Sequence, residues 1–416
     1  MIAKVSPEIA LQKVKAPASK SYAQRAIFAA ALGHSKCELV NLGSSEDVKH
    51  ILAIAKQLGS EIEASTNGFT ISPRTNEIQR SLNCGESGLG IRLTASIAST
   101  FGGKFEILGE GSLCKRPMNS FADFLPKLGV DFKSNNGFVP LEIDGKMNGG
   151  SIDIDGSMSS QFLSGILMSL PLTESDSLIQ VNNLVSHAYT DMTLKLMADF
   201  GIASKSKDNK SYFISGNQEY TNPEKYIIEG DWSGAAFWIV LGAINGPIEI
   251  QGLDENSLQA DRAILEVLKL TNAQYEWVNG NLIVRKSNLI PFEFDATNCP
   301  DLFPILTTLA ASIKGDSIIH GVHRLKNKES NRGLTVQKEF SKLGLIIDLE
   351  NDKMIIHGQQ VLYSGKVHAN HDHRIAMACA IAASLTDNGI EIDNAESVNK
   401  SYPEFWDVLY KVEINA

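Results

Sequence analysis

The sequence predicts an α/β protein of two domains, each built from three copies of one structural unit. Its 416 residues are too many for one ordinary hydrophobic core, so two domains are expected. Two kinds of segment recur along the chain with a period of about 70 residues, which is the signature of an internal repeat. Each copy of the unit would contain one segment of each kind.

The first recurring segment is an amphipathic helix followed by two strands that a polar turn joins. Asn-Gly and Asn-Asp turns between alternating stretches are typical of β-hairpins. A helix packed beside a hairpin is therefore expected in each copy. Five copies read ILAIAKQLGSEIEASTNGFTIS, FADFLPKLGVDFKSNNGFVPLEI, LKLMADFGIASKSKDNKSYFIS, AILEVLKLTNAQYEWVNGNLIV and KEFSKLGLIIDLENDKMIIHG.

The second recurring segment is a polar or glycine-containing head followed by a helix that is apolar on nearly every side. Six copies read ASKSYAQRAIFAAALG, CGESGLGIRLTASIA, GSMSSQFLSGILMSL, GDWSGAAFWIVLGAI, CPDLFPILTTLAASI and HDHRIAMACAIAASL. A helix without a polar face is a buried helix. Six buried helices, each flanked by strands and a more amphipathic outer helix, predict six copies of one α/β unit.

The sixth copy lacks part of its pattern, because little sequence follows SYPEFWDVLYKVEINA. The segment MIAKVSP is expected to supply the missing strand, which would make one domain discontinuous. The predicted domains are therefore residues 13–228, and residues 1–12 together with 229–416. Two crossings of the chain between the domains predict a hinge.

Composition narrows the class of protein. An apolar content of 43% with 13 prolines is typical of a globular chain. A formal net charge of -10 argues against nucleic acid and anionic membrane as main partners. Five scattered cysteines without a CxxC pair disfavour disulfides and structural zinc. The chain has no apolar run of transmembrane length and no cleavable leader pattern, so a cytoplasmic protein is expected.

The heads of the buried helices predict an anion-binding site. A helix N-terminus presents free N–H groups and the positive end of the helix dipole, and several such ends around one cleft would bind an anion. Any one basic residue near a head is more commonly a solvated surface charge, but here several lie beside these heads. They are Lys20, Arg25, Arg116, Lys328, Arg332, Arg374 and Lys400.

Nine motifs resemble those of the 5-enolpyruvylshikimate-3-phosphate synthases, which belong to the enolpyruvyl transferase family. The first, APASKSYAQRAIFAAAL, resembles the P-G-S-K-S motif that opens the family. The others are CGESGLGIR, GEGSLCKRPM, GSMSSQFLSGILMSLPL, LVSHAYTDMTL, CPDLFP, KNKESNR, HDHRIAM and NKSYPEFW. One such motif is moderately specific, whereas nine in the family's order, over essentially the whole chain, are highly specific.

The resemblance implies both a fold and a reaction. Each domain would be an inside-out α/β barrel of three βαβαββ repeats, with the active site in the interdomain cleft. The enzyme would be a transferase that moves the enolpyruvyl group of phosphoenolpyruvate to the 5-hydroxyl of shikimate 3-phosphate and releases phosphate. This step belongs to the shikimate pathway, which leads to chorismate and the aromatic amino acids. A monomer without metal or organic cofactor is expected.

For shikimate 3-phosphate, the resemblance implies contacts with both domains. The residues are Lys20, Ser21, Arg25, Ser159, Ser160, Gln161, Ser186, Tyr189, Asp301 and Lys328. The hydroxyls of Ser159, Ser160 and Ser186 would donate to phosphate, although spacing alone fits helix N-capping equally well. Tyr189 would line the sugar ring; its alternative role is plain packing.

For phosphoenolpyruvate, the resemblance implies a largely cationic set of contacts. A planar guanidinium can hold a carboxylate or a phosphate through two parallel hydrogen bonds. Lys20 and Gln161 would contact both substrates. The full set is Lys20, Gly88, Arg116, Gln161, Arg332, Arg374 and Lys400.

The implied reaction needs a base for the 5-hydroxyl and a proton donor for the methylene carbon of phosphoenolpyruvate. Asp301 is predicted to be the base, and Lys20 and Glu329 are the candidates for the carbon, with perturbed pKa values in a cationic cleft. Asp301 could instead cap the following apolar helix. His373 and Asp372, in the motif HDHR, could suggest a metal, but no third ligand cluster accompanies them.

In two of the helix heads, one residue differs from the residue that is usual in the family. Ala18 stands where Gly is usual, and Glu86 stands where many members carry Asn. The second change places a negative charge near an expected anion site, and the sequence does not indicate what compensates it.

Two other functions fit parts of the sequence. One is the sister enolpyruvyl transferase that acts on UDP-N-acetylglucosamine. That family carries a loop Cys several residues before its Arg-Pro, whereas Cys114 lies two residues before Arg116. The other is a non-catalytic two-domain protein that binds anionic metabolites. Asp301 and Glu329 argue weakly against it, since a pure anion binder gains nothing from carboxylates beside its ligand.

Overall fold

A computed structural model describes residues 1–75, 77–409 and 412–415. The chain divides into two compact units. The N-terminal unit is Ala18–Ile228, and the C-terminal unit is Met1–Pro17 together with Glu229–Ala416.

The helices alternate in kind along the chain. Those at odd positions are the apolar helices of the second recurring segment, and those at even positions are the outer helices. The α-helices are α1 Lys20–Leu32, α2 Glu46–Gln57, α3 Gly88–Ala98, α4 Ser120–Phe124, α5 Ser160–Ser169, α6 His187–Asp199, α7 Trp232–Asn245, α8 Ile264–Leu270, α9 Phe303–Ala311, α10 Arg332–Ser341, α11 His373–Ala382 and α12 Phe405–Val408.

The strands are short. They are β1 Ile2–Val5, β2 Lys13–Lys15, β3 Cys37–Val40, β4 Ser60–Ser65, β5 Gly68–Arg74, β6 Ser81–Asn83, β7 Phe105–Leu108, β8 Asp131–Asn135, β9 Phe138–Asp144, β10 Ser151–Asp155, β11 Ser177–Asn182, β12 Ser204–Lys207, β13 Ser211–Ile214, β14 Lys225–Ile227, β15 Ile248–Gln251, β16 Gln274–Val278, β17 Asn281–Arg285, β18 Glu293–Asp295, β19 Gly315–His320, β20 Ile346–Glu350, β21 Lys353–Gly358, β22 Gly365–His368, β23 Ile390–Asp393 and β24 Val412–Asn415.

The strands form six sheets of four strands that share one pattern. In each sheet the first pair is parallel, and the remaining two pairings are antiparallel. The N-terminal unit contains β14-β3-β5-β4, β6-β7-β9-β8 and β10-β11-β13-β12. The C-terminal unit contains β2-β15-β17-β16, β18-β19-β21-β20 and β22-β23-β1-β24.

The hairpins follow the turn chemistry of the sequence. Asn136 and Gly137 have φ of 52° and 87°, and Asn279 and Gly280 have φ of 51° and 78°. Two successive residues with positive φ are what a tight two-residue hairpin turn requires. The predicted Asn-Gly hairpins are therefore present at these positions.

The chain ends complete the sixth sheet. Strand β1 pairs antiparallel with β23 on one side and with β24 on the other. The prediction that MIAKVSP supplies the missing strand is confirmed.

At each of the two places where the chain passes from one unit to the other, the last strand before the crossing pairs within the unit that the chain is leaving. β2 directly precedes α1 in the chain, yet it pairs with β15 of the C-terminal unit. β14 directly precedes α7, yet it pairs with β3 of the N-terminal unit. Residues 13–17, which the sequence analysis placed in the first domain, therefore lie with the C-terminal unit.

Three apolar helices form the interior of each unit. In α1, α3 and α5 nearly every residue is buried, and the same holds for α7, α9 and α11. In β11 buried and exposed residues alternate along the whole strand, which indicates one face on the core and one toward solvent. The prediction of six buried helices is confirmed.

No helix in the described part of the chain is long and apolar enough to cross a membrane.

Candidate active site

The three interior helices of the N-terminal unit begin with serines. The side chain of Ser87 accepts from the N–H of Gly90, and that of Ser159 accepts from the N–H of Gln161. Ser19 occupies the same position before α1 without a capping hydrogen bond from its side chain. A neutral cap leaves the positive end of the helix dipole uncompensated.

The interior helices of the C-terminal unit begin with carboxylates instead. Asp231 accepts from the N–H of Ser233 at the start of α7, and Asp372 accepts from the N–H of Arg374 at the start of α11. Asp301 lies in the short turn before α9 but makes no capping hydrogen bond. A carboxylate at a helix start offsets the dipole, so this end of the C-terminal unit is electrostatically different.

Side chains tie the helix starts of the N-terminal unit together. Ser87 Oγ donates to Gln24 Oε1 at 2.8 Å, which joins α3 to α1. Arg92 Nη1 donates to Gln161 Oε1 at 2.9 Å, which joins α3 to α5. The same Arg92 nitrogen donates to the carbonyl of Gly88 at 2.8 Å. The predicted contacts Gly88 and Gln161 are therefore brought together, through an arginine that the sequence analysis did not assign.

Arg25 is buried and held by neutral groups. Its Nε donates to Thr193 Oγ1 at 2.8 Å, and its two terminal nitrogens donate to the carbonyl of Ser21 at 2.8 Å and to Ser164 Oγ at 3.0 Å. Burial lowers the pKa of Arg25 to about 10. Among the described residues no carboxylate forms an ion pair with it, so its charge is not neutralised locally.

Lys20 lies at the first residue of α1. Its Nζ is 2.8 Å from Asp47 Oδ2, and the side chains are 18% and 9% exposed. The predicted Lys20 therefore shares its charge with a carboxylate on α2.

Arg116 differs from the other predicted cations. Within residues 1–75, 77–409 and 412–415 its guanidinium has no hydrogen-bond or ion-pair partner, and its Nε is buried. The guanidinium packs so closely against Gly88 that a Cβ at that position would overlap Nη1. A half-buried cation without a hydrogen-bond or ion-pair partner among the described residues, packed against the first residue of α3, is suited to an anionic ligand.

The remaining predicted contacts of the N-terminal unit lie at the starts of α5 and α6. Ser160 is the first residue of α5 and is buried. Ser186 precedes α6 in a left-handed conformation, with φ of 54°. A non-glycine residue in that region stores about 1–3 kcal/mol of strain, and such strain is common at functional sites. The carbonyl of Tyr189 accepts from Arg25 at 3.4 Å.

Asp301 is the centre of the cluster in the C-terminal unit. Its Oδ1 accepts from Lys328 Nζ at 3.1 Å and from Arg332 Nη1 at 2.7 Å, and its Oδ2 accepts from Arg374 Nη2 at 3.1 Å. Burial alone would raise the pKa of Asp301, but Arg374, Lys328 and Arg332 outweigh it and hold the pKa well below its usual range. Asp301 is therefore ionised and bound by three cations.

Arg332 is fully buried and nearly saturated by carboxylates. Its Nε donates to Asp372 Oδ2 at 2.9 Å, and its Nη2 donates to Glu329 Oε2 at 2.7 Å. Burial would lower the pKa of Arg332, but Asp372, Glu329 and Asp301 raise it above its ordinary value. A guanidinium with three carboxylate partners has few N–H groups left for a ligand.

The pKa of Lys328 is shifted in the direction opposite to that of Arg332. Its burial outweighs the attraction of Asp301, so the pKa of Lys328 is lowered. Lys400 lies on the same unit, and its Nζ donates to the carbonyl of His371 at 2.9 Å.

Asp261 is a second buried carboxyl of this unit. Its Oδ2 accepts a short hydrogen bond from Ser233 Oγ, and its Oδ1 has no hydrogen-bond partner among the described residues. Burial, with the nearby charge of Asp301, raises the pKa of Asp261 to about 7. It thus titrates near neutrality beside Asp301 and Arg374.

The two clusters have different charge balances. In the C-terminal unit Lys328, Arg332 and Arg374 are already bound to carboxylates, whereas in the N-terminal unit Arg25 and Arg116 are not. Among the described residues no group of three or more His, Cys, Asp or Glu side chains is arranged to hold a metal ion.

Comparison with known proteins places this arrangement in a family. The family model described as EPSP synthase (3-phosphoshikimate 1-carboxyvinyltransferase) matches residues 8–409. The chain belongs to the EPSP synthase family. A 3-phosphoshikimate 1-carboxyvinyltransferase of Clostridium kluyveri is 36% identical over 398 residues, which cover 95% of this chain and 93% of that protein. One of Clostridium acetobutylicum is 36% identical over 414 residues, which cover 98% and 96%.

Two solved structures share the fold of this chain. An EPSP synthase from Acinetobacter baumannii superposes with a TM-score of 0.82 at 25% identity, and both chains are covered completely. The enolpyruvyl transferase NikO from Streptomyces tendae has a TM-score of 0.79 at 15% identity over 99% of this chain and 98% of its own. The predicted class, a two-domain inside-out α/β fold, is confirmed by the first of these.

Four residues of the two clusters were missed or left uncertain from the sequence. They are Asp47, Arg92, Asp261 and Asp372. Arg92 lies in the EPSP synthase motif CGESGLGIR, four residues after Gly88, so a helical spacing could have pointed to it. Asp47 and Asp261 lie outside every motif, and only the folded chain brings Asp47 to Lys20 and Asp261 to Asp301.

Helix capping was the alternative role of both Ser159 and Asp301, and the structure shows it for Ser159 only. Ser159 does cap α5, so its hydroxyl has a structural role whether or not it also contacts a ligand. Asp301 does not cap α9 and is held by three cations instead.

Proposed function

We propose that this protein is a transferase that moves the enolpyruvyl group of phosphoenolpyruvate to the 5-hydroxyl of shikimate 3-phosphate and releases phosphate. The observation that carries the proposal is the match to the EPSP synthase family over residues 8–409. The reaction is a step of chorismate and aromatic amino acid biosynthesis.

The N-terminal unit is proposed to supply most contacts to shikimate 3-phosphate. Arg25 and the serine-capped helix starts leave positive charge uncompensated, which favours a phosphate dianion. The proposed contacts here are Lys20, Ser21, Arg25, Ser159, Ser160, Gln161, Ser186 and Tyr189. Asp301 and Lys328 would contact the same substrate from the C-terminal unit.

Phosphoenolpyruvate is proposed to bind to cations of both units. Arg116 supports this role most directly, because its guanidinium has no hydrogen-bond or ion-pair partner within the described residues. Arg332 is the weakest contact of the set, since three carboxylates occupy most of its N–H groups. The complete proposed set is Lys20, Gly88, Arg116, Gln161, Arg332, Arg374 and Lys400.

The low pKa of Asp301 bears on its proposed role as the base. A carboxylate bound by three cations is a weak base. If Lys328 and Arg374 form ion pairs with the anionic substrates, their ion pairs with Asp301 become weaker. The pKa of Asp301 then rises, because fewer cations stabilise its ionised form. Substrate binding would therefore prepare the base. Lys20 and Glu329 remain the candidates for protonating the methylene carbon.

Phosphate release with different acceptors tests the proposed reaction. Phosphoenolpyruvate should release phosphate with shikimate 3-phosphate, and not with UDP-N-acetylglucosamine or without an acceptor. Release with the nucleotide sugar would assign the chain to the sister activity. Release with none of the three, together with measurable binding of either substrate, would indicate a non-catalytic anion binder.

Asp301→Asn tests the base. The amide keeps the shape of the side chain but cannot accept the hydroxyl proton, so kcat should fall about 10²- to 10⁴-fold while shikimate 3-phosphate still binds in calorimetry. Turnover at the wild-type rate would remove Asp301 from this role.

Three further expectations from the sequence remain predictions. They are a cytoplasmic location, a monomeric state without cofactor, and binding of the substrates between the two domains.

A further inference from the structure

We infer that Glu86 is a positioning residue for Arg116, and that it acts by fastening the loop before Arg116 to the loop before α3. This inference rests on the proposed function of Arg116 as a phosphoenolpyruvate contact. It also explains how the chain accommodates an acidic residue beside an expected anion site.

The Glu86 carboxylate binds one residue twice. Its Oε2 accepts from the backbone N–H of Ser112 at 2.7 Å and from Ser112 Oγ at 2.6 Å. Hydrogen bonds to an ionised group are short and strong. The negative charge of Glu86 is thus directed at two donors of the neighbouring loop.

Further bonds join the same two loops. Asn83 Nδ2 donates to Glu110 Oε1 at 2.6 Å, and the N–H of Glu110 donates to the carbonyl of Gly85 at 2.7 Å. Within the loop 83–86, the N–H of Gly85 donates to Asn83 Oδ1 at 2.9 Å. Together with the Glu86–Ser112 pair they form a loop latch, which consists of residues 83–86 and 110–112.

The loop latch fixes the position of the backbone from which the Arg116 side chain extends. Ser112 lies in the short 3-10 segment Gly111–Lys115, and the N–H of Arg116 donates to the carbonyl of Leu113 at 3.0 Å. The guanidinium of Arg116 packs against Gly88, two residues after Glu86. Since no described residue forms a hydrogen bond or ion pair with that guanidinium, its position depends on the backbone that carries it.

The two possible roles of Glu86, as a negative charge near the ligand and as part of the loop latch, predict opposite effects of its removal on the affinity for phosphoenolpyruvate. If Glu86 acted only through its charge, its removal would strengthen the binding of an anion, because a nearby negative charge repels it. If Glu86 acts through the loop latch, its removal weakens the binding. Glu86→Ala should raise KM for phosphoenolpyruvate about tenfold, the loss expected for hydrogen bonds to a charged group.

Three variants complete the test. Ser112→Ala keeps the charge and removes one bond, so it should also raise KM for phosphoenolpyruvate. Glu86→Gln keeps an acceptor for the Ser112 N–H and should restore part of the affinity. In all of these, kcat and KM for shikimate 3-phosphate should change little. Glu106→Gln is the matched control, because Glu106 also accepts from a serine hydroxyl, that of Ser81, at 3.3 Å but outside the loop latch.

Cys114 provides a readout that does not depend on activity. It is exposed within the segment Gly111–Lys115, whereas Cys37, Cys84, Cys299 and Cys379 are buried. Loosening the loop latch should increase the rate at which a maleimide labels Cys114 in Glu86→Ala and Ser112→Ala, but not in Glu106→Gln.

The two readouts separate the two proposals. Faster labelling without any wild-type turnover would retain the loop latch and reject the proposed reaction. A lower KM for phosphoenolpyruvate in Glu86→Ala, or labelling at the wild-type rate in both latch variants, would overturn the inference.

Discussion

Three arginines of this protein have three different environments. Arg25 is held by hydroxyls and carbonyls, Arg332 by three carboxylates, and Arg116 has neither kind of partner among the described residues. Residue type therefore does not determine role here. Partners decide whether a guanidinium stabilises the fold or is available to a ligand.

Arg332→Ala and Arg116→Ala should differ in stability. Removal of Arg332 leaves Asp301, Glu329 and Asp372 without a common buried partner, which should cost about 3–5 kcal/mol in the free energy of unfolding. Arg116→Ala should change that free energy by less than about 0.5 kcal/mol while it abolishes turnover. Urea unfolding and phosphate release measure both quantities. Equal destabilisation by the two changes would contradict the distinction.

Asp261 should make stability depend on pH in the direction opposite to most acids. Its pKa is raised from 3.8 in the unfolded chain to about 7 in the folded protein, so the folded state binds the proton more tightly. Stability from this group is present at low pH and is lost as the pH rises through this window. Asp261→Asn should remove that loss.

The measurement for Asp261 is a comparison of unfolding free energies at about pH 5 and about pH 8, between which the group changes its charge. The variant should gain stability relative to the wild type at the higher pH and little at the lower. An unchanged difference between the two proteins at both pH values would show that Asp261 is ionised throughout.

At the scale of elements, the interior helices of the two units differ in how they begin. Serines begin α1, α3 and α5, whereas aspartates begin α7 and α11. Since a carboxylate offsets the helix dipole and a hydroxyl does not, the equivalent helices of the two units differ in the charge at their starts. The serine-capped ends suit an anionic ligand.

Ser159→Ala and Ser45→Ala separate capping from binding. Each serine accepts from a backbone N–H at a helix start, Ser159 on α5 and Ser45 on α2. Each replacement should cost about 1 kcal/mol of stability. Only Ser159→Ala should also raise KM for shikimate 3-phosphate. If both or neither raised it, the proposed contact of Ser159 would be lost.

At the scale of the whole molecule, the pairing of β14 with β3 and of β2 with β15 determines which fragments of the chain contain complete sheets. The three sheets of the N-terminal unit consist entirely of residues from 37 to 227, including β14. β14 completes the first sheet through β3, although Ile227 pairs with Val40, which lies 187 positions earlier in the chain. Each unit therefore depends on a strand that lies beyond its repeats.

A fragment of residues 18–228 should fold without the rest of the chain. It contains all of its own sheet strands, so cooperative urea unfolding and a native-like circular dichroism spectrum are expected. A fragment of residues 18–223 lacks β14, which leaves the edge of β3 unpaired, and it should unfold at lower urea. Equal midpoints for the two fragments would mean that β14 contributes no stability.

The repeated units could be predicted because their signals are local. An apolar helix, an amphipathic helix and an Asn-Gly turn each occupy a short stretch of sequence, and each was found where the pattern placed it. Strands β2 and β14 were not predicted, because three residues carry no periodicity. Their partners lie far away in the chain, and hydrogen bonding alone assigns them.

The sequence by itself determined the repeat, the interior helices, the family and the identities of the candidate site residues. Tertiary structure decided the partners: Arg92 with Gln161, Arg332 with three carboxylates, and Glu86 with Ser112. The reason is physical. Secondary structure depends on neighbours in the chain, whereas burial and charge depend on groups that only folding brings within hydrogen-bonding distance.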